Sequence, residues 1–427
     1  MKNKRYFRII LLLMFIWCGA AGCAALEPDF SIPEDDVMEM GEIDFDVEDY
    51  IKEEDTEKQD ANEDADKDNI EEPSDNEGEK EKTSSNINKF YYNQLNEDEK
   101  IIYTSLLEGF KNYEDTIQVH VENTSIVENI FYSVMNDNPD IYWVKNYQGV
   151  FYRNEEGRYD IKPNYFYGKN KCEEIDKIIE EVKKEFLANA YGKQTDYEKI
   201  KYVFEFLSEN VKYGGDLSLC QNIDSAFVQK ETVCAGYAKA TQYLLESVGV
   251  ECIYVTGVAT NSEGKTEDHA WNIVKCDGDY CYVDTTWGDQ TDQNGVELEG
   301  TDNINYDYLC CSEATLSKSH VIEGDYDYPD CSTEKWNYYI LNNMYYKEFN
   351  TQEIVENMKK DIGNKENLSV FKFENQSDYQ QLVRILTNSI FKELGDELGE
   401  DQQKLEGIEY QTNDRNFVCK IYWKYKK

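Results

Sequence analysis

Apolar residues recur at three- and four-residue spacing in several stretches of this chain, and alternate or run together in others. In LNEDEKIIYTSLLEGF, Ile102, Leu106 and Phe110 fall on one helical face behind an Asn96-x-x-Glu99 capping signature. SIVENIFYSVMNDNPD repeats the pattern with Ile126, Ile130 and Val134 and stops at Asn138-Pro139. The runs IYWV, GVFYR and NYFYG then read as strands, and 172–188 reads as a long charged helix. Together these predict a mixed α/β unit over 89–192.

A second unit, 193–331, opens with another capping box, Thr195-x-x-Glu198, whose helix buries Ile200, Val203, Phe204, Leu207 and Val211. The next helix starts at Cys234 and carries Ala238, Thr241, Leu244, Leu245 and Val248, and Gly249 ends it as the glycine beyond its C-cap. VECIYVTGV is a strand. DHAWNIVKCDGDYCYVDTTW is two strands about an Asp-Gly turn, a strong short hairpin signal. From about Ser332 the pattern changes again. WNYYILNNMYYKEF is strand-like, and a helix (352–361), a strand (369–373), a helix (378–394) and a hairpin around Asn413-Asp414 complete a small α/β unit, 332–427. The fold class is therefore α+β.

The hairpin carries a further inference. With a two-residue turn at Asp277-Gly278, or a four-residue loop, odd positions on its first strand oppose even positions on its second. His269, Trp271 and Asp284 then share one face of the sheet. The tighter turn sets Asp284 opposite Trp271 and diagonal to His269, about 7–8 Å between backbones, which the two side chains can bridge. A His–Asp contact is thus expected from the pattern alone.

The ends change the picture. Lys2, Lys4, Arg5 and Arg8 precede an apolar run from Ile9 to Trp17 that falls short of the roughly 20 residues of a membrane span. Residues 1–22 therefore read as an export signal. Ala20-Ala21-Gly22-Cys23 resembles a bacterial lipobox, with Ala20 where Leu is usual. That resemblance implies lipidation of Cys23 and anchoring to the outer face of the cytoplasmic membrane; ordinary cleavage near Ala25 would instead release the protein. Both routes put the chain outside the cytoplasm. Between Glu27 and Lys82 lie 26 acidic residues against five lysines, about half of the net charge of −43. Residues 23–88 are too polar and self-repelling to fold and read as an acidic tether. Acidity on this scale excludes nucleic acid as a partner.

Twelve cysteines make Cys234 ambiguous by composition: core residue, disulfide half, metal ligand and nucleophile all remain open. Cys276 and Cys281 flank the hairpin turn and are a candidate disulfide, while no paired CxxC motifs suggest structural zinc. Position adds chemistry. A thiol opening a helix gains from the helix's partial positive charge, which favours thiolate. An imidazole beside it takes and returns a proton, and a carboxylate behind the imidazole fixes its tautomer. His120 has no companion ligands and is expected on the surface.

VCAGYAKATQYLLESVGVECIYVTG, HAWNIV and YCYVDTTWGD are similar to the three signature blocks of the transglutaminase-like superfamily of Cys-His-Asp enzymes. The likeness spans about 195–289, and 306–331 resembles the segment that succeeds those blocks in exported bacterial members. It implies a papain-like core, the Cys-bearing helix packed on an antiparallel sheet, with smaller units on either side. It also implies Cys234 as nucleophile, His269 as general base and acid, and Asp284 as orienting carboxylate. The substrate would be a protein or peptide amide, through a thioester. Peptide hydrolysis is slightly preferred to amine transfer, and a non-catalytic surface module is the alternative of another class. His320 matches a histidine often found after the blocks and is treated as structural. Tyr213, Gln221 and Asn222 are candidates for a second oxyanion donor. Some animal members need calcium, but in DQTDQNGVELEG the ends of a calcium loop would be Gln290 and Thr301, so no metal or cofactor requirement arises. Oligomeric state is not legible.

Overall fold

The computed structural model describes residues 89–152, 157–289, 304–399 and 404–426. The signal segment with Cys23, the acidic tether and the 290–301 stretch lie outside the described residues. The architecture is α+β, with helices packed on mainly antiparallel sheets.

Helices α1 (Phe90–Asn93), α2 (Glu97–Lys111) and α3 (Ser125–Asp137) come first, followed by α4 (Lys169–Ala190), α5 (Asp196–Asn210) and α6 (Cys234–Ser247). Both expected capping boxes form: Asn96 with Glu99, and Thr195 with Glu198, each accepting from and donating across the first turn. Strands β1 (Ile117–His120), β2 (Val144–Tyr152) and β3 (Arg158–Tyr165) form a three-stranded sheet in the order β1-β3-β2. Here the strand expectations need correction. The IYWV run joins a strand only at Val144, because Ile141 and Tyr142 are fully buried in the turn after α3. The third strand lies earlier than NYFYG, over RYDIKPNY, where only Asp160 and Ile161 are buried. His120 is exposed at the end of β1, as expected of a surface residue.

Two short strands, β4 (Lys212–Tyr213) and β5 (Glu231–Thr232), pair in parallel ahead of α6. The central sheet then runs β8-β7-β6-β9, from β6 (Cys252–Thr260), β7 (Thr266–Cys276), β8 (Asp279–Val283) and β9 (His320–Ile322). Helix α6 packs on one face of this sheet. Ala235 and Ala238 sit against Tyr254 and Ala270, and the Asn272 amide donates to the Ala238 carbonyl at 3.0 Å. Deeper along α6, Tyr237, Leu244 and Leu245 share a core with α4, α5 and the inner side of β7 and β8. The opposite face of the sheet has its own core of Tyr91, Ile253, Val255, Trp271, Ile273, Tyr282 and Tyr308.

The last sheet is mixed: β10 (Tyr345–Tyr346) lies parallel to β11 (Leu368–Phe373), which pairs with β13 (Val418–Tyr425), which pairs with β12 (Leu405–Asn413). The aromatic run WNYYILNNMYYKEF is a strand only at Tyr345–Tyr346. Its earlier part forms a helical turn, Tyr338–Leu341, started by the Asn337 side chain accepting from the Tyr339 N–H. Ten cysteines of the described residues are free thiols, Cys276 and Cys281 among them, all buried except Cys234, which is half-buried.

Candidate active site

Two chain reversals and one helix start build this site. At the β7–β8 turn, Asp277 and Gly278 both have positive φ, 46° and 101°, the geometry of a two-residue type I′ hairpin. The resulting register pairs Cys276 with Asp279 and Asn272 with Val283. One further step sets Trp271 opposite the position of Asp284, which leaves Asp284 diagonal to His269. His269 Nε2 lies 2.9 Å from Asp284 Oδ2.

Asp284 is the N-cap of the one-turn helix Thr285–Gly288, and its Oδ1 accepts from the backbone N–H groups of Thr286 and Trp287 at 3.0 and 3.1 Å. The carboxylate is therefore held at both oxygens and buried. Thr285 Oγ1 also meets Thr241 Oγ1 of α6 at 2.9 Å, which locks this turn to the Cys-bearing helix.

Cys234 is the first residue of α6, after Val233 in extended conformation. The helix start is fixed from behind. The Val233 N–H donates to the Cys220 carbonyl at 3.0 Å, and Thr232 Oγ1 reaches the same carbonyl at 2.9 Å. Thr232 is completely buried, and a β-carbon at Gly236 would lie 1.8 Å from its hydroxyl oxygen. The glycine of VCAG is thus required for the first turn of α6 to approach β5. The His269 imidazole is hydrogen-bonded to Asp284 and lies beside the Cys234 thiol, which acts on its titration.

The electrostatics are set by burial and partners. Burial opposes a charged His269, but the Asp284 charge and hydrogen bond, aided by Cys234, outweigh it and push the imidazole up to about 10. Burial likewise opposes a charged Asp284, yet His269 and His320 hold the carboxyl well below its usual range. An imidazole–carboxylate pair next to a thiol can accept a proton from sulfur, and the resulting imidazolium can deliver it to a leaving group.

His320, treated as structural on the sequence, joins the site. It sits on the edge strand β9, with Nε2 3.1 Å from Asp284 Oδ2 and Nδ1 2.8 Å from Ser319 Oγ. Nothing in local periodicity could bring it here, because β9 reaches the site by pairing with β6, a partner more than 60 residues earlier. Donor atoms of His269, Asp284 and His320 lie within 4.8 Å of one another, a spacing also found in metal sets. In this arrangement both imidazole Nε2 atoms sit at hydrogen-bond distance from one carboxylate oxygen, which makes a proton network rather than a coordination shell. Trp287 covers the network, its ring centroid 5.8 Å from that of His269 and 4.5 Å from that of His320. Trp271 and Tyr282 are buried packing residues.

The three oxyanion candidates have different partners. The Gln221 amide donates to the Leu217 carbonyl, Asn222 Oδ1 accepts from Lys239 Nζ at 2.6 Å, and the Tyr213 ring stacks on Tyr237.

The model of the transglutaminase-like superfamily matches residues 185–285, a span that holds Cys234, His269 and Asp284. The chain is also similar to kyphoscoliosis peptidase of Homo sapiens, 28% identical over 124 residues, which is 26% of this chain and 18% of that protein. The Mus musculus protein is 29% identical over 108 residues, 22% of this chain and 16% of its own. The matched span is therefore less than a fifth of those relatives' length. Among solved structures, a TGase is similar at 12% identity and TM-score 0.25, covering 44% of this chain and 55% of its own. A candidate cysteine protease from Cytophaga hutchinsonii is similar at 12% identity and TM-score 0.21, covering 33% and 61%. The segment bearing His320 lies beyond the matched span of the transglutaminase-like domain.

Proposed function

We propose that this protein is a thiol enzyme that opens protein or peptide amide bonds through Cys234, His269 and Asp284. The observation that carries the reading is the His269 imidazole, which lies beside the Cys234 thiol and 2.9 Å from the carboxylate of buried Asp284. In the proposed reaction His269 takes the thiol proton and sulfur attacks the amide carbonyl. The Cys234 N–H, an orphan donor by its place at the helix start, stabilises the oxyanion. His269 then protonates the leaving amine, and a thioester remains on sulfur. Water resolves it in hydrolysis; an amine resolves it in transfer or cross-linking. Hydrolysis is preferred, in keeping with the names of the peptidase relatives.

We place the enzyme outside the cell, anchored through a lipid on Cys23 and carried on the acidic 23–88 segment. Metabolic labelling with a fatty-acid analogue, lost in Cys23→Ala, tests the anchor. No helix of the described residues is long and apolar enough to cross a membrane.

The catalytic reading is tested with an electrophilic peptide probe. Labelling of the native protein and none of Cys234→Ala is expected; equal labelling of both sinks the enzyme assignment. Incubation with a glutamine-containing protein and a labelled amine then separates the two chemistries, fragments indicating hydrolysis and incorporated label indicating transfer.

A further inference from the structure

Asp284 is buried, yet it accepts four hydrogen bonds: two backbone N–H groups on Oδ1, and His269 and His320 on Oδ2. A carboxylate removed from water keeps its charge only through such donors. The proposed catalytic scheme uses one imidazole and leaves the second without a role. His320 is as deeply buried as Asp284 and is held on every side. Ser319 anchors its Nδ1, while Trp271, Trp287 and Tyr308 pack around its ring at centroid distances of 5.0, 4.5 and 5.5 Å. An ionised carboxylate has no hydrogen to give, so at 3.1 Å His320 Nε2 carries it.

We propose that His320 is a positioning residue of the proposed active site, donating its Nε2–H to Asp284 Oδ2 so that this carboxylate stays ionised and aimed at His269. The inference rests on the Cys-His-Asp reading of the site. It extends the hydrogen-bond chain by two members, from His269 and Asp284 through His320 to Ser319, and so brings the edge strand β9 into the chemistry. Further titratable or charged groups near the network, among the described residues, are Tyr308, Cys311 and Arg415. Tyr308 lies over His320, the buried Cys311 thiol lies behind Asp284, and Arg415 lies across Trp287, 5.9 Å from its ring. The donors to Asp284 Oδ2 among the described residues are the two imidazoles, so His320 is the group whose loss the carboxylate feels.

The test is the pH dependence of Cys234 alkylation by the neutral reagent iodoacetamide, in the native protein, His320→Phe, His320→Gln and Ser319→Ala. Phe keeps the ring and removes the donor; Gln keeps an N–H donor of similar reach. Removing a donor raises the pKa of the carboxyl, and a protonated Asp284 no longer supports the imidazolium that pairs with thiolate. The acid-side loss of reactivity in His320→Phe is therefore expected at a pH higher by about one unit, a tenfold lower reactivity on that limb. His320→Gln should stay within about threefold of the native protein across the profile, and Ser319→Ala should shift in the same direction by less.

An unshifted profile in His320→Phe overturns the proposal. So does a uniform loss in both His320 variants with an unchanged midpoint, which would make His320 a packing residue. If His320→Phe does not fold, Ser319→Ala decides by the same criterion. A native Cys234 that reacts no faster than a free cysteine peptide defeats the enzyme reading itself, an outcome distinct from the others.

Discussion

His269 and Asp284 are 15 residues apart and meet at 2.9 Å because a two-residue turn joins their strands. Asp284→Asn keeps the shape of the side chain and removes its charge. A fall of about 10³–10⁴-fold in the rate of amide turnover or probe acylation is expected, since the imidazole loses its tautomer and its counter-charge. Active-site titration with the peptide probe provides the measurement; a loss under tenfold would argue against Asp284 as the orienting group.

The same pair makes stability depend on pH with a defined sign. Asp284 titrates below its unfolded value of about 3.9, so its contribution is present above that value and is lost as pH falls through the folded one. His269 is raised to about 10, so its contribution is complete below its unfolded value near 6.5 and is lost as pH rises toward 10. The stability difference between the native protein and Asp284→Asn should therefore be largest near pH 5–6 and shrink at both extremes. Urea unfolding at acid, near-neutral and alkaline pH checks both limbs.

Gly236→Ala forces a methyl group against buried Thr232, whose hydroxyl is already tied to Ser225 and the Cys220 carbonyl. A destabilisation of about 1–3 kcal/mol is expected, with reduced Cys234 reactivity because the strain falls on the turn that carries it. Adding Thr232→Ala removes the obstructing hydroxyl and should restore part of the reactivity; failure of this rescue would count against the steric account.

Asp307 ties the final hairpin to the active-site face. Its Oδ1 accepts from the Tyr339 hydroxyl at 2.6 Å, and its Oδ2 from the Asn413 and Asn416 amides at 2.7 and 3.1 Å. Arg415, between those asparagines, donates to the Asn261 carbonyl and lies over Trp287. Asp307→Ala leaves several part-buried donors without an acceptor, at about 1–3 kcal/mol for each that water cannot reach. Denaturant unfolding should register the loss, and Arg415→Ala should change KM more than kcat if the hairpin acts by bracing Trp287.

Local patterns were a sound guide wherever one element decided the outcome. The capping boxes at Asn96 and Thr195, the stop at Gly249 and the Asp277-Gly278 turn each lie within a few residues and form as expected. The aromatic run after Trp336 misled, because Tyr339 is held by Asp307, a residue its own neighbourhood does not reveal.

The sequence by itself determined that His269 and Asp284 share one face of the hairpin, since a two-residue and a four-residue loop give the same parity, and the structure adopts the two-residue turn. It also determined that Cys234 begins a helix. Only the tertiary structure decided that Gly236 must be small, that the hydroxyl of Tyr91 at the start of the described chain reaches the Tyr254 carbonyl at 2.5 Å, and that His320 joins Asp284. Those relationships depend on which strand lies at the edge of a sheet and which helix turn abuts it. Such contacts are fixed by packing between distant segments, where periodicity along the chain carries no information.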